Sequence, residues 1–314
     1  MIRISDQLTR VSNWRPHGAL LLRTEPDLRN DGGLELDPRT RTAGFLNRKQ
    51  IFVWAAIILA SHQLEDLLNR APGPALRNVI YAVASANLFQ CIAWYATVRL
   101  LLQSDAAKRG RTIDFVISTI LCLVLVLPST RVVWVAGLGM GLYWWVFSSG
   151  DRYLRAAGIV LSALAIQQFW SHVLFNLLAP ELLAIETAIV GAMVAVFHPG
   201  TIWHENVITG SDGYGIVLYT GCSSFENICI ALLCWTTIAR LKSPSWKAGE
   251  LAGATAVGVL LVCLNWGRLI LMALNLNLYK FWHDGPGNQI FEVAASLMVV
   301  SLCLRLTKMA EVDA

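Results

Sequence analysis

Three polar residues in the C-terminal half of the chain have the chemistry needed for acyl transfer. Cys222 supplies a thiol, Arg268 a guanidinium and His283 an imidazole. A thiolate can attack a carbonyl to form a thioester, and a guanidinium can stabilise the oxyanion. Histidine, with an ordinary pKa of about 6.5, can pass protons in both directions. Arginine never acts as a base, so proton transfer would fall to His283.

The residues that follow Cys222 are typical of a helix start. Ser223 followed three residues later by Glu226 has the form of a capping box, which predicts a helix beginning just after Cys222. A thiol there would meet the positive end of the helix dipole, which favours the thiolate. Glu226 either caps this helix or pairs with Arg268. Taken alone, Cys222 also fits a helix-start cysteine with no role.

The other two residues also have simpler interpretations. Asn265 and Arg268 are three residues apart and share a helix face. A guanidinium deep in a membrane costs roughly 2.5–3.5 kcal/mol on insertion scales, so Arg268 faces a partner or a cavity, or it snorkels to the interface. His283 precedes the last apolar run and also fits an ordinary loop histidine. His204 is a competing candidate on the same side.

The composition predicts that membrane helices position these residues. The chain has 314 residues, of which 55% are hydrophobic and 15% charged, whereas a soluble domain is roughly 25% charged. Apolar runs of this length form helices in lipid. We therefore expect an all-α, polytopic bundle of about eight transmembrane helices with a small extracytoplasmic hairpin. The predicted spans are 50–68, 78–102, 113–128, 131–148, 156–178, 224–240, 249–273 and 287–305.

Basic residues between the spans orient the chain. They predict a flexible cytoplasmic tail at 1–49, a membrane domain at 50–306 and a cytoplasmic tail at 307–314. An even number of crossings is then needed between Arg155 and Arg240, so we expect Leu182–Phe197 to be a re-entrant or interfacial helix on the outer side. The turn signal Gly210–Gly213 within 201–219 predicts a hairpin, also outside.

Other classes of function are not favoured by the composition. The net charge is +4 and the basic residues are scattered, which does not indicate nucleic-acid binding. The seven cysteines show no CxxC pair and no metal-type spacing, so neither a metal nor an organic cofactor is predicted.

The joint order of these motifs resembles the exosortase/archaeosortase family. The resemblance lies in Cys222-Ser223 after an outer hairpin, then Asn265-x-x-Arg268, then His283 with a glycine four residues on. It covers about 155–305 and is strongest from Tyr219 to Gly287. It implies a polytopic cysteine protease or transpeptidase with Cys222 as nucleophile, Arg268 as oxyanion stabiliser and His283 as acid/base. Ser223, Glu226 and Asn265 would support them.

The resemblance also implies a substrate and a location. Substrates would be exported proteins whose C-terminal sorting signal has a short motif, a transmembrane helix and a basic tail. Cleavage would occur at the extracytoplasmic face of a prokaryotic cytoplasmic (inner) membrane. One departure is that Ser224 and Phe225 stand where many members have glycine and leucine; this bears on the subfamily and substrate.

Three alternatives to this function remain. A transporter or channel would place polar residues deep in several spans and often has repeated halves. A non-catalytic scaffold, for instance in polysaccharide or protein export, would tolerate loss of the thiol. A polytopic glycan-modifying enzyme would depend on arginine and histidine but not on cysteine.

Overall fold

Helices make up most of the part of the chain that the structure describes. This structure, a computed structural model, describes residues 48–70, 88–104, 112–125, 130–147, 150–245, 247 and 249–312. The predicted cytoplasmic tail at 1–49 lies outside these residues except for its last two positions. The helices are α1 (Arg48–Arg70), α2 (Leu88–Gln103), α3 (Thr112–Leu125), α4 (Thr130–Val146), α5 (Arg152–Phe169), α6 (Phe175–Phe197), α7 (Ser224–Lys242), α8 (Glu250–Leu274), α9 (Leu276–Tyr279) and α10 (Pro286–Val312).

Three of these helices are long and apolar enough to cross a membrane. They are Phe175–Phe197, Glu250–Leu274 and Pro286–Lys308. Shorter apolar helices run over Gln50–His62, Thr112–Leu121 and Val132–Val146. Each predicted span overlaps a helix, but the number of eight crossings stays a prediction.

The helix boundary between α5 and α6 differs from the prediction. We expected one span to end at residue 178 and a separate helix to begin at Leu182, on either side of Pro180. The chain is instead helical from α5 into α6, and the irregularity is a π-helical turn at Trp170–Leu174. Pro180 lies inside α6. A proline removes only one intrahelical hydrogen bond, so the other bonds of this 23-residue helix remain.

The helices pack around two apolar clusters. The first contains residues from each of the helices α1, α2, α3, α4 and α5. Phe52, Trp144 and Leu161 belong to it, and all three are fully buried. The second joins α7, α8 and α10 through residues such as Trp235, Val257 and Cys303. The candidate site residues lie on α8 or just before α7 and α10. The second cluster therefore packs together the three helices that position these residues.

A small antiparallel sheet follows α6. Its strands are β1 (Ile202–His204), β2 (Val207–Thr209) and β3 (Gly215–Val217), in the order β1-β2-β3. The predicted turn at Gly210–Gly213 is confirmed and joins β2 to β3, with Gly213 in the left-handed region at a φ of 81°. The predicted hairpin has a third strand, because a further turn at Glu205 (φ 51°) reverses the chain between β1 and β2.

A third apolar cluster attaches this sheet to the helices. It combines Leu183 and Val190 of α6, Ile208 of β2 and Leu269 of α8. The Tyr214 hydroxyl also donates to the carbonyl of Met272, at 3.1 Å, near the end of α8. The sheet and α6 therefore pack at the C-terminal end of α8.

A buried ion pair connects α7 to α8 at the opposite end of these helices. Arg240 is only 1% exposed and pairs with Glu250, which also accepts from the backbone N–H of Lys247 at 3.0 Å. Arg240, which the orientation argument counts among the cytoplasmic basic residues, is thus held inside the protein. A pair of this kind is costly to break because one charge is left buried alone.

The packing of α4 against α5 is predicted to depend on Gly141. A β-carbon at Gly141 would lie 2.8 Å from the backbone nitrogen of Ser162 and 2.9 Å from the carbonyl oxygen of Gly158. Gly141→Ala should therefore force the helices apart and cost about 1–3 kcal/mol. The measurement is the thermal unfolding midpoint of the purified protein in detergent.

Gly139→Ala is the matched control, because a β-carbon at Gly139 meets nothing within 4 Å. It adds helix propensity without a clash and should leave the midpoint unchanged or raise it. Equal midpoints for the two variants would contradict the assignment of Gly141 to the α4–α5 contact.

Candidate active site

Cys222 ends a short 3₁₀ turn that connects the sheet to α7. The turn covers Thr220–Cys222, and the N–H of Cys222 donates to the carbonyl of Tyr219 at 2.9 Å. Ser223 is the N-cap of α7, and its hydroxyl oxygen accepts from the N–H of Phe225 at 3.2 Å. The prediction that a helix starts immediately after Cys222 is therefore confirmed. The side chain of Glu226 lies outside the described atoms, so both of its predicted roles stay predictions.

Glu186 of α6 contacts the cysteine motif, and sequence reasoning missed this role. Its carboxylate is 0% exposed. It accepts from the Ser223 hydroxyl at 2.7 Å, from the Ser224 N–H at 3.0 Å and from the Ser224 hydroxyl at 2.5 Å. The available signal was an isolated carboxylate within an apolar run, which in membrane proteins marks a functional or paired position.

These contacts alter the electrostatic argument for the thiol. The positive end of a helix dipole consists of its first unpaired N–H groups. The N–H of Ser224 is bonded to Glu186, and the N–H of Phe225 to the Ser223 hydroxyl. Neither donor is available to Cys222. Stabilisation of a thiolate must therefore come from other groups around the thiol.

Asn265 of α8 holds the backbone of the cysteine from the other side. It is 3% exposed, and its amide Nδ2 donates to the carbonyl of Cys222 at 2.8 Å and to the hydroxyl oxygen of Ser224 at 3.1 Å. The amide group therefore links α8 directly to the residue that carries the thiol.

Arg268 lies one turn further along α8 and binds the segment that carries His283. Its Nε and Nη2 donate to the carbonyl of Trp282 at 3.2 and 3.0 Å, and Nη2 also donates to Oδ1 of Asn288 at 2.7 Å. The guanidinium carbon lies 5.1 Å from the ring centre of Phe291, a cation–π contact. The Nη1 group has no hydrogen-bond partner among the described residues. These contacts favour a partnered arginine over a snorkelling one.

His283 lies in a π-helical turn, Lys280–Asp284, between α9 and α10. Its Nδ1 is 2.7 Å from Oδ1 of Asp284, and its ring stacks on Tyr279 with centroids 4.8 Å apart and planes at 11°. A carboxylate at Nδ1 favours the tautomer with the proton there, which leaves Nε2 as a proton acceptor. Asp284 was not predicted as a site residue.

Tyr279 lies near both the thiol and the histidine. Burial raises the pKa of the Tyr279 phenol, and the charges of Asp284 and Cys222 raise that pKa further. The phenol therefore stays protonated at neutral pH. It can donate a hydrogen bond within the site without adding a negative charge.

A cavity of about 820 Å³ brings the predicted residues together. Cys222, Asn265, Arg268 and His283 all line it. Further apolar and polar lining comes from α2, α7 and α10, for example Phe89, Phe291 and Asn288. The volume is in the range of small-molecule sites. His204, the competing histidine, lies exposed on β1 and does not line this cavity.

The contacts of Arg268 predict that it holds the His283 turn in place. Arg268→Lys keeps the charge but cannot make the two donations to the carbonyl of Trp282. We expect amide hydrogen exchange over residues 276–285 to become about tenfold faster or more, because each 1.4 kcal/mol changes an opening equilibrium tenfold. Exchange measured by mass spectrometry on the detergent-solubilised protein tests this.

Arg305→Lys is the control, since it makes the same change on the exposed surface of α10. Protection over 276–285 that is unaffected by Arg268→Lys would show that the turn does not depend on the guanidinium.

Comparisons with known proteins identify no relative of this chain. No family model, no curated protein and no solved structure matches this chain.

Proposed function

We propose that this protein is a membrane-embedded cysteine protease or transpeptidase of the exosortase/archaeosortase type. The observation that carries the proposal is the shared cavity: a thiol, a guanidinium and an imidazole from three separate segments line the same space. The sequence resemblance independently assigns the roles of nucleophile, oxyanion stabiliser and acid/base to these three residues. Their convergence supports acyl transfer more than any one of the motifs does.

In the proposed reaction, His283 takes the proton of the Cys222 thiol and the thiolate attacks a peptide carbonyl. The free Nη1 group of Arg268 can donate to the oxyanion while Nε and Nη2 hold the guanidinium in place. His283 then protonates the leaving amine, and a thioester remains on Cys222. An amine, a lipid, a glycan or water finally takes the acyl group, giving its proton to His283.

We place the site at the outer face of a cytoplasmic membrane crossed by about eight helices. The helix α6 is long and apolar enough to cross a membrane, and in this proposal it lies at the outer interface. The indole Nε1 of Trp170 donates to the carbonyl of Phe225 at 2.9 Å, and Glu186 binds Ser224. About 24 Å of helix separates Trp170 from Glu186, yet both bind the first two residues of α7. Two side chains cannot bridge that length, so the chain between Trp170 and Glu186 bends around the start of α7.

The proposed substrates are exported proteins with a C-terminal motif, a transmembrane helix and a basic tail. The cavity combines polar residues near the thiol with apolar ones on α8 and α10, such as Leu261 and Val299. A cleavage motif at the membrane surface, followed by an apolar helix, would meet surfaces of both kinds.

We predict that Cys222→Ala abolishes removal of such tails, because the nucleophile is lost. The measurement compares the C-termini of membrane proteins, by mass spectrometry, in cells that carry wild-type or variant protein. Proteins with a C-terminal helix and basic tail should be shortened with wild type. They should stay full-length with Cys222→Ala and with Cys222→Ser.

Cys229→Ala is the matched control. Cys229 is another half-buried cysteine, in the second turn of α7, and it does not line the cavity. Tails should be removed as in wild type. Identical C-termini with wild type and with an inserted, folded Cys222→Ala protein would move the scaffold, transporter and glycan-enzyme alternatives ahead.

A further inference from the structure

The hydrogen bonds of Glu186 all come from the two residues that follow Cys222. A buried carboxylate is expensive unless donors surround it. Two hydroxyls and one backbone N–H surround this one, within 2.5 to 3.0 Å for the closest oxygen of each pair. The N–H belongs to the first residue of α7, where the helix dipole also favours a negative charge. Glu186 therefore binds α6 to the cysteine motif.

The direction of each hydrogen bond in this group is determined by the carboxylate. An ionised carboxylate only accepts, so the Ser224 hydroxyl must donate its hydrogen to Glu186. The oxygen of that hydroxyl is then an acceptor for Asn265, whose amide also donates to the carbonyl of Cys222. The resulting chain runs from Cys222 through Asn265 and Ser224 to Glu186. The donor and acceptor at each step of this chain are determined by the charge of the Glu186 carboxylate.

Ser224 is also the residue at which the sequence departs from the glycine of the resembled family. Glycine has no hydroxyl and could not donate to a carboxylate at this position. The serine and the buried carboxylate contact each other, so they form one unit in this protein.

We propose that Glu186 and Ser224 are a pair of positioning residues that hold Cys222 in its reactive geometry through Asn265. The proposal rests on the proposed function, in which Cys222 is the nucleophile. Glu186 does not line the cavity, so it acts through other residues. An ionised carboxylate bound to the two residues next to Cys222 would oppose thiolate formation, so Glu186 aids the reaction by holding the backbone.

Glu186 is therefore expected to have two opposite effects: its charge disfavours ionisation of Cys222, and its hydrogen bonds favour the reaction of Cys222 with substrate. Glu186→Gln keeps the size of the side chain but removes the charge, and its amide can donate to the Ser224 hydroxyl, which reverses the hydrogen-bond chain. The Cys222 thiol should then ionise at a lower pH. Tail removal should nevertheless be slower, because the backbone of Cys222 is held less firmly. Unfolding would also free the thiol from this charge, so an unchanged thermal unfolding midpoint must first show that the variant is folded. Among the described residues, the other charged or titratable groups that line the cavity or interact with Cys222 are unchanged: Arg268, His283, Glu292, Tyr219 and Tyr279.

The experiment uses the full-length protein in detergent and iodoacetamide as the probe. The alkylation rate of Cys222 is followed from pH 6 to pH 10 by mass spectrometry of the peptide that contains it. We expect the midpoint to fall by about half a unit or more in Glu186→Gln, because a nearby negative charge is removed. It should stay unchanged in Ser224→Ala. Glu181→Gln, an exposed position earlier in α6, should match wild type.

Tail removal in cells is the second readout. Glu186→Gln and Ser224→Ala should each slow it about tenfold, the effect of one lost hydrogen bond of about 1.4 kcal/mol. The double variant should be no slower than Glu186→Gln alone, because the two residues act as one unit. Additive losses would contradict the pairing.

The two proposals can fail separately. If wild type removes tails and Glu186→Gln does so equally fast, the positioning role is wrong and the proposed function stands. If wild type removes no tails, the proposed function fails. An unchanged alkylation midpoint in Glu186→Gln overturns the positioning role in either case.

Discussion

The buried carboxylate of Glu186 is the interaction on which the geometry around Cys222 depends. It sits at the start of α7, where it takes the first free N–H of the helix and the hydroxyls of Ser223 and Ser224. One ionised group thereby connects α6, the 3₁₀ turn and α7. Its desolvation is offset by these donors and by the helix dipole. Without it, the hydroxyl of Ser224 would lose its acceptor inside the protein.

Arg268 connects distant segments in the same way on the other side of the cavity. Its guanidinium reaches from α8 to the carbonyl of Trp282 and to Asn288 of α10. The side chain of Asn288 donates in turn to Glu292 at 3.2 Å, which fixes the orientation of its amide. A negative charge near the thiol and a positive charge near the histidine thus each join segments that are distant in sequence. The residues proposed to react lie between these two anchors.

Local signals in the sequence were sufficient for part of this arrangement. Ser223 has the composition and position of an N-cap, and its effect on the chain is local. The glycine turn at 210–213 likewise follows from backbone preferences within four residues. Asn265 and Arg268 share a helix face by spacing alone, and both line the cavity.

The rest depends on contacts between distant segments. A period or a spacing does not tell which partner a buried charge will meet, so neither the bond between Glu186 and Ser224 nor the pairing of Arg240 with Glu250 was predicted. The π-helical turn at Trp170–Leu174 was also missed, since Pro180 is the stronger local breaker. In each case tertiary contacts decided between options that local preference left open.

The central claim is that Cys222 carries an acyl group during turnover, and trapping that group tests it most directly. Rapid acid quenching of wild-type membranes during turnover preserves such a group, because a thioester hydrolyses slowly at low pH. The protein is then purified under denaturing conditions, and the peptide containing Cys222 is weighed before and after treatment with neutral hydroxylamine. The account predicts added mass on Cys222 that hydroxylamine removes as a hydroxamate, and none in His283→Ala, in which the thiol has lost its base. A Cys222 peptide of unmodified mass, from cells in which substrate tails are still removed, would contradict the account.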